Sequence, residues 1–239
     1  MLPMALIRKL GRRSDLLLFF CLLLCAVSML VFSDKRFQPV LSRDSRPPCL
    51  ILDPGHGGID GGAVSFNGIK ESDINLAIGL RLRSLADFCG VETCMTRTDD
   101  SRRTDILAYS EHEDLVHRTE LINAVPNGIL ISIHQNTFPT TQPRGAQVLY
   151  AAGEQSRRFG ELTHQNLIRN LQPENRRVAE PASKRLYITS HVTCPAILVE
   201  CGFLSNYTDL DKLCDAQYQL SLATVLLASY MQFNLNDLS

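Results

Sequence analysis

An excess of charge of either sign is what this sequence lacks. Its 24 lysines and arginines stand against 25 aspartates and glutamates, a formal net charge of −1. Dedicated nucleic-acid binders carry a strong basic excess or stripe, so that class is excluded. None of the eight cysteines forms a Cys-x-x-Cys pair, which excludes a thiolate zinc ribbon. Cys21 and Cys25 fall in an apolar N-terminal run. Cys89 and Cys94 flank Gly90 and are placed to pair in oxidising surroundings, but the expectation is free, mostly buried thiols, since free cysteine behaves as a small hydrophobe. The chain has no internal repeat, no low-complexity tract and no second module. The glycine-rich stretch His56–Gly62 lacks the lysine followed by Ser or Thr that a phosphate-cradling loop requires, and a histidine in the loop suits a metal better. His112 and His117 are five residues apart, which removes them from one helix face as paired ligands; they are expected to be solvated.

What is present begins with Leu16–Ser33, eighteen residues without a charge, close to the ~20 needed to cross a bilayer as a helix. Arg8, Lys9, Arg12 and Arg13 precede it, and the more basic flank belongs in the cytoplasm. The stretch exceeds the usual h-region of a cleaved signal, and no small-residue cleavage site follows. Leu24 before Cys25 also argues against a lipoprotein. The expectation is therefore an uncleaved signal anchor and an extracytoplasmic, single-pass membrane protein. Residues 1–15 are its cytoplasmic tail, 16–33 its span, 34–48 a proline-containing linker, 49–233 one folded domain and 234–239 a tail.

The domain is organised around Ile51–Gly62 (ILDPGHGGIDGG), where a short apolar run opens into a glycine loop holding His56. Gly128–His134 and Ala196–Glu200 repeat that design and close on His134 and Glu200. Short continuous apolar runs fit strands buried on both faces, as in a parallel sheet with helices on either side. Ligands of such sheets sit beyond the carboxyl ends of the strands. Val91–Arg97 and Gly145–Tyr150 are further strand candidates. Helices are expected from about residue 72, with Ser72 or Asp73 as cap and Ile74, Ile78, Leu82, Leu85 and Phe88 as its buried stripe, and over Asp114–Val125, Glu154–Leu171 and Gln217–Phe233. Gln172–Lys184 is the longest loop candidate. The fold class is α/β.

Neutral imidazole and carboxylate suit zinc, and three protein ligands leave a position open for water. His56 and His134 are the ligands the pattern supports. Glu71 and Glu200 are both candidates for the third ligand and for a general acid/base, and spacing does not choose between them. Four motifs then resemble, in order, those of the zinc-dependent N-acetylmuramoyl-L-alanine amidases of the amidase_3 type. They are DPGHGG at Asp53–Gly58, Lys70-Glu71 before a helix, SIHQN at Ser132–Asn136 and VECGFLSN at Val199–Asn206. The resemblance covers Cys49 to about Phe233. It implies one zinc held by His56, Glu71 and His134, Glu200 as general acid/base, and a phosphorylase/hydrolase-like three-layer α/β/α sandwich around a mostly parallel sheet of about six strands. It implies peptidoglycan as substrate, cut between the lactyl group of N-acetylmuramic acid and L-alanine. Within the family the layout is most similar to germination-specific, spore-cortex members, further marked by Met95–Arg97, Arg118 and Asn123; muramic δ-lactam formation and an accessory protein belong to that reading. Thr137 and Cys201 depart from the family pattern without removing a ligand. Competing readings are a vegetative wall amidase, a stem-peptide carboxypeptidase and a non-catalytic wall-binding protein. Stem peptides carry carboxylates, for which Arg97, Arg144, Arg176 and Arg177 are the groove candidates.

Overall fold

A computed structural model of the chain describes residues 48–100 and 110–236. Six strands form one sheet: β1 (Cys49–Pro54), β2 (Thr93–Met95), β3 (Gly128–Asn136), β4 (Gln147–Tyr150), β5 (Glu180–Pro181) and β6 (Ala196–Phe203). Their order is β2-β1-β3-β6-β4-β5. The first four run parallel, while β4 is antiparallel to β6 and parallel to β5. Leu50, Leu52, Ile131, Ile133, Ile197 and Val199 point to one face, under α1 (Glu71–Phe88), α3 (Glu154–Leu171) and α6 (Ala216–Asn236). Ile51, Leu130 and Ala196 point to the other, against Ile122 of α2 (Glu111–Asn123) and Ile188 of α4 (Tyr187–His191). A further helix, α5 (Tyr207–Cys214), follows β6. This is the expected three-layer sandwich. Because both faces are covered, the central strands are apolar without alternation.

Several boundaries differ from expectation, each for a physical reason. Helix α1 begins at Glu71 with Lys70 in the cap position and no side-chain cap. The amides of Glu71 and Ser72 instead donate to the carbonyls of Ala63 and Gly61, at 2.8 and 3.0 Å. The glycine loop folds back to supply the acceptors that Ser72 or Asp73 was expected to provide. Phe88 is 89 % exposed, so the buried stripe of α1 ends before it. Helix α2 starts three residues early because Ser110 Oγ accepts from Glu113 N. Strand β6 continues past Glu200 to Phe203, since a register shift at the His134–Asn136 end of β3 keeps the two strands paired. The loop after Gln172 contains β5. The six described cysteines are all free; Cys49 and Cys201 are buried, whereas Cys89 and Cys214 are exposed.

The expectation of a single-pass membrane protein with an extracytoplasmic domain is corrected. No helix among the described residues is long and apolar enough to cross a membrane, and Leu16–Ser33 lies outside them. Helix α6, at 21 residues, has the length for a span. Its apolar residues Leu222, Leu226 and Phe233 serve the core instead, and Gln219, Thr224, Ser229 and Gln232 interrupt the run.

Candidate metal centre

The carboxyl ends of β1, β3 and β6 lie side by side, with Pro54 paired to Ile133 and His134 to Glu200. From that edge the chain turns sharply. His56 adopts a left-handed backbone, φ 61°, which non-glycine residues hold only where the surroundings enforce it. Its Nδ1 meets Asp60 Oδ2 at 2.7 Å, leaving Nε2 3.4 Å from Glu71 Oε1. His134 Nδ1 lies 3.0 Å from the same oxygen. One ligand atom from each of His56, Glu71 and His134 thus falls within 4.8 Å of the other two. Ligands of a tetrahedral zinc stand roughly 3.4 Å from one another; the His56–Glu71 separation matches that value and the His134–Glu71 separation, at 3.0 Å, is slightly shorter. The donor set and its spacing fit zinc.

The carboxylate of Glu71 is built into place. Oε2 accepts from Ala63 N at 3.0 Å, and Oε1 accepts from Gln135 N at 3.0 Å and Asn75 Nδ2 at 3.3 Å. Asn75 in turn donates to Gly55 O and accepts from Gln135 Nε2. Burial opposes ionisation of Glu71, yet hydrogen bonds with both imidazoles hold it well below the usual carboxylate range. Burial likewise works against the His56 cation, but Asp60 and Glu71 push it up to about 9. A fixed carboxylate between two oriented imidazoles is a site prepared for positive charge.

Glycine makes the close approach possible at two positions. A Cβ on Gly55 would stand 2.1 Å from the His134 ring, and one on Gly62, at φ +66°, would stand 2.7 Å from both Glu71 Oε2 and His56 Cδ2. Gly62→Ala is therefore expected to displace two of the three clustered side chains, Glu71 and His56. Metal affinity should fall ~10–100-fold, read by competition with a chromophoric chelator. Unchanged affinity would show that the loop relaxes around the methyl group.

Glu200 is not among the clustered ligand atoms. Its side chain faces the same cavity as His56, Glu71 and His134, and its Oε2 is buried with no hydrogen-bond partner among the described residues. Burial pushes its carboxyl up to about 7; the two imidazoles oppose this and Glu71 reinforces it. A buried carboxyl with one oxygen unpaired is costly to keep unless something in the cavity engages it.

Below the loop, Asp53 is fully buried and accepts from Arg118 Nε at 2.8 Å, Arg118 Nη2 at 2.6 Å, Ser132 Oγ at 2.7 Å and Thr96 Oγ1 at 2.7 Å. Arg118 reaches it from α2 and also lines the cavity. Residue patterns did not mark Asp53, Asp60, Asn75 or Gln135 as parts of the centre. The available signal was proximity: Asp53 and Asp60 flank His56, and Gln135 follows His134.

Arg97 is not a groove residue, because its guanidinium donates to the carbonyls of Pro54, Gly55, Ser72 and Asp99. It braces the loop from behind. Arg144, Arg176 and Arg177 line a different cavity. His112 is exposed, edge-on to Tyr187. His117 departs from the solvated expectation: it is half-buried, with Nε2 lacking a partner among the described residues.

Residues 50–229 match the family model described as N-acetylmuramoyl-L-alanine amidase. The chain is 33 % identical over 195 residues to the germination-specific N-acetylmuramoyl-L-alanine amidase of Bacillus subtilis, covering 77 % of this chain and 78 % of that one. Among solved structures it is similar to the CwlD amidase of Clostridioides difficile in complex with the GerS lipoprotein. The TM-score is 0.74 and the identity 32 %, over 78 % of this chain and 98 % of that one. The amidase AmiC2 of Nostoc punctiforme matches with a TM-score of 0.65 and 25 % identity, over 79 % and 98 % of the two chains.

Proposed function

This chain belongs to the N-acetylmuramoyl-L-alanine amidase family, and from that premise we propose a zinc hydrolase in which His56, Glu71 and His134 hold the metal and Glu200 is the general acid/base. The substrate bond is the amide between the lactyl group of N-acetylmuramic acid and L-alanine in peptidoglycan. The supporting observation is the unpaired, buried Oε2 of Glu200, one strand from His134 and facing the three clustered ligand atoms.

Zinc, when bound, supplies Lewis-acid polarisation and acidifies water. The remaining work falls to side chains. Glu200 takes the proton of the attacking water and returns it to the departing alanine nitrogen, a double role that suits a carboxyl raised towards neutrality by its surroundings. Asp60 keeps His56 turned with Nε2 inward, and Asn75 with Gln135 keeps the Glu71 carboxylate from rotating.

Purified peptidoglycan treated with the full chain is expected to release whole stem peptides beginning with L-alanine and to leave unsubstituted muramic acid, as read by mass spectrometry. Stems shortened from their far end would identify a carboxypeptidase instead. Chelation should abolish release and zinc should restore it. His134→Ala should lower bound zinc from about one per chain to well below half by elemental analysis, since loss of one of three ligands removes most of the affinity. Full metal content in that variant would overturn the ligand set.

The likeness to the germination-specific Bacillus subtilis enzyme supports a cortex role. Spores lacking this protein are expected to be depleted in muramic δ-lactam, and unchanged lactam would assign it to vegetative wall turnover. The lipoprotein seen with the Clostridioides difficile relative supports an accessory protein of the same kind for this chain.

A further inference from the structure

The sheet face that carries His134 and Glu200 continues onto β4. Gln147 is the register partner of Glu200, so the two side chains leave the sheet on the same side. Gln147 Oε1 accepts from Arg177 Nη1 at 3.1 Å, and Arg177 Nε donates to Arg144 O at 3.1 Å. The Arg177 guanidinium also lies 4.6 Å from the ring centroid of Phe203, on β6 beyond Glu200. Arg177 is therefore anchored both beside and beyond the proposed acid/base, unlike a solvated surface arginine. It forms the inner wall of a cavity of about 390 Å³ that Arg144, Arg176 and Lys212 also line. Two carboxylates share this lining, Glu174 and Asp209. Asp209 is buried, and its Oδ2 is engaged by the amides of Gly145 at 2.7 Å and Phe203 at 3.0 Å. The cleft keeps an excess of positive charge.

We infer that this cleft is a subsite for a free carboxylate of the stem peptide, the one carried by the acidic residue that follows the first alanine. The inference rests on the amidase reading. Glu200 and Gln147 stand on adjacent strands, one spacing of about 4.8 Å apart, and the Arg177 wall of the cleft lies a side-chain length further out, on the Gln147 amide, roughly 10 Å from Glu200 in all. An extended peptide covers about 3.5 Å per residue. The second or third residue after the cut bond therefore reaches the cleft, where planar guanidinium groups match a carboxylate in shape and charge.

The test uses the zinc-loaded full chain and two stem peptides that differ only at the second residue, one with its α-carboxylate free and one with the carboxamide. Calorimetry should show about tenfold tighter binding of the carboxylate form, and the margin should narrow as salt is raised. In the double variant Arg144→Gln, Arg176→Gln the preference should fall to near one, while Arg144→Lys, Arg176→Lys keeps most of it. These side chains are exposed, so the fold should tolerate both pairs. Equal binding of the two peptides, or a preference that survives in the glutamine pair, overturns the subsite. Cleavage of muramyl peptide is followed separately. Turnover without carboxylate preference sinks the subsite alone, whereas preference without turnover supports the subsite and counts against the amidase reading.

Discussion

Glu200→Gln is expected to reduce turnover of muramyl peptide by about 10³-fold while leaving bound zinc unchanged. The amide is nearly isosteric with the acid but neither accepts nor returns a proton, and proton transfer by a positioned group contributes ~10²–10⁴-fold. Retention of metal follows from the geometry, because the clustered ligand atoms belong to His56, Glu71 and His134. The same substitution removes a buried carboxyl whose Oε2 has no partner, so the variant should be no less stable than the parent. The pairing of lost activity with intact metal and intact stability separates a chemical role from a structural one. Activity within tenfold of the parent would sink the assignment, and loss of zinc would make Glu200 a ligand.

The second large effect concerns stability. Arg118→Ala leaves the Asp53 carboxylate buried and without its cation, and breaking a buried pair in this way costs about 3–5 kcal/mol. For a domain of this size that corresponds to a Tm lower by roughly 10 °C. The pair joins α2 to the end of β1, and Ser132 and Thr96 tie the same carboxylate to β3 and to the segment after β2. Because His56 follows three residues after Asp53, the loop should loosen as well. Removing both partners, as in Asp53→Asn with Arg118→Met, should cost clearly less than the sum of the single changes. Additive losses would show that the two side chains act independently.

The same pair sets an acid limit. Burial alone would raise the Asp53 carboxyl, but the Arg118 charge and hydrogen bonds from Arg118, Ser132 and Thr96 bring it down to about 2. An unfolded aspartate titrates near 3.9. With the folded value depressed, the unfolded chain takes up the proton first. The contribution is whole above about pH 4 to 5 and is lost as pH falls through about 2, a change of roughly 2–3 kcal/mol. Denaturant midpoints of the parent should fall over that window, and those of Arg118→Ala should fall less steeply.

Much of the centre was legible because it is written locally. Apolar runs ending in Asp53-Pro54, His134 and Glu200 marked three strands whose carboxyl ends share one edge, and the spacing from Glu154 to Leu171 matched a helix to the residue. Burial leaves a periodic trace along the chain, so the α/β class and the convergence of His56 and His134 could be read without coordinates. The choice between Glu71 and Glu200 as clustered partner of the histidines was not local. It depends on the loop folding back so that the Ala63 and Gly61 carbonyls open α1 at Glu71. Nor could spacing reveal that Arg118 answers a carboxylate 65 positions away, or that Arg97 turns inward to four carbonyls while Arg177 stands beside Glu200 through Gln147. A side chain's periodicity records whether it is buried, but its partner is set by which segments cross, and that emerges only when the whole sheet assembles.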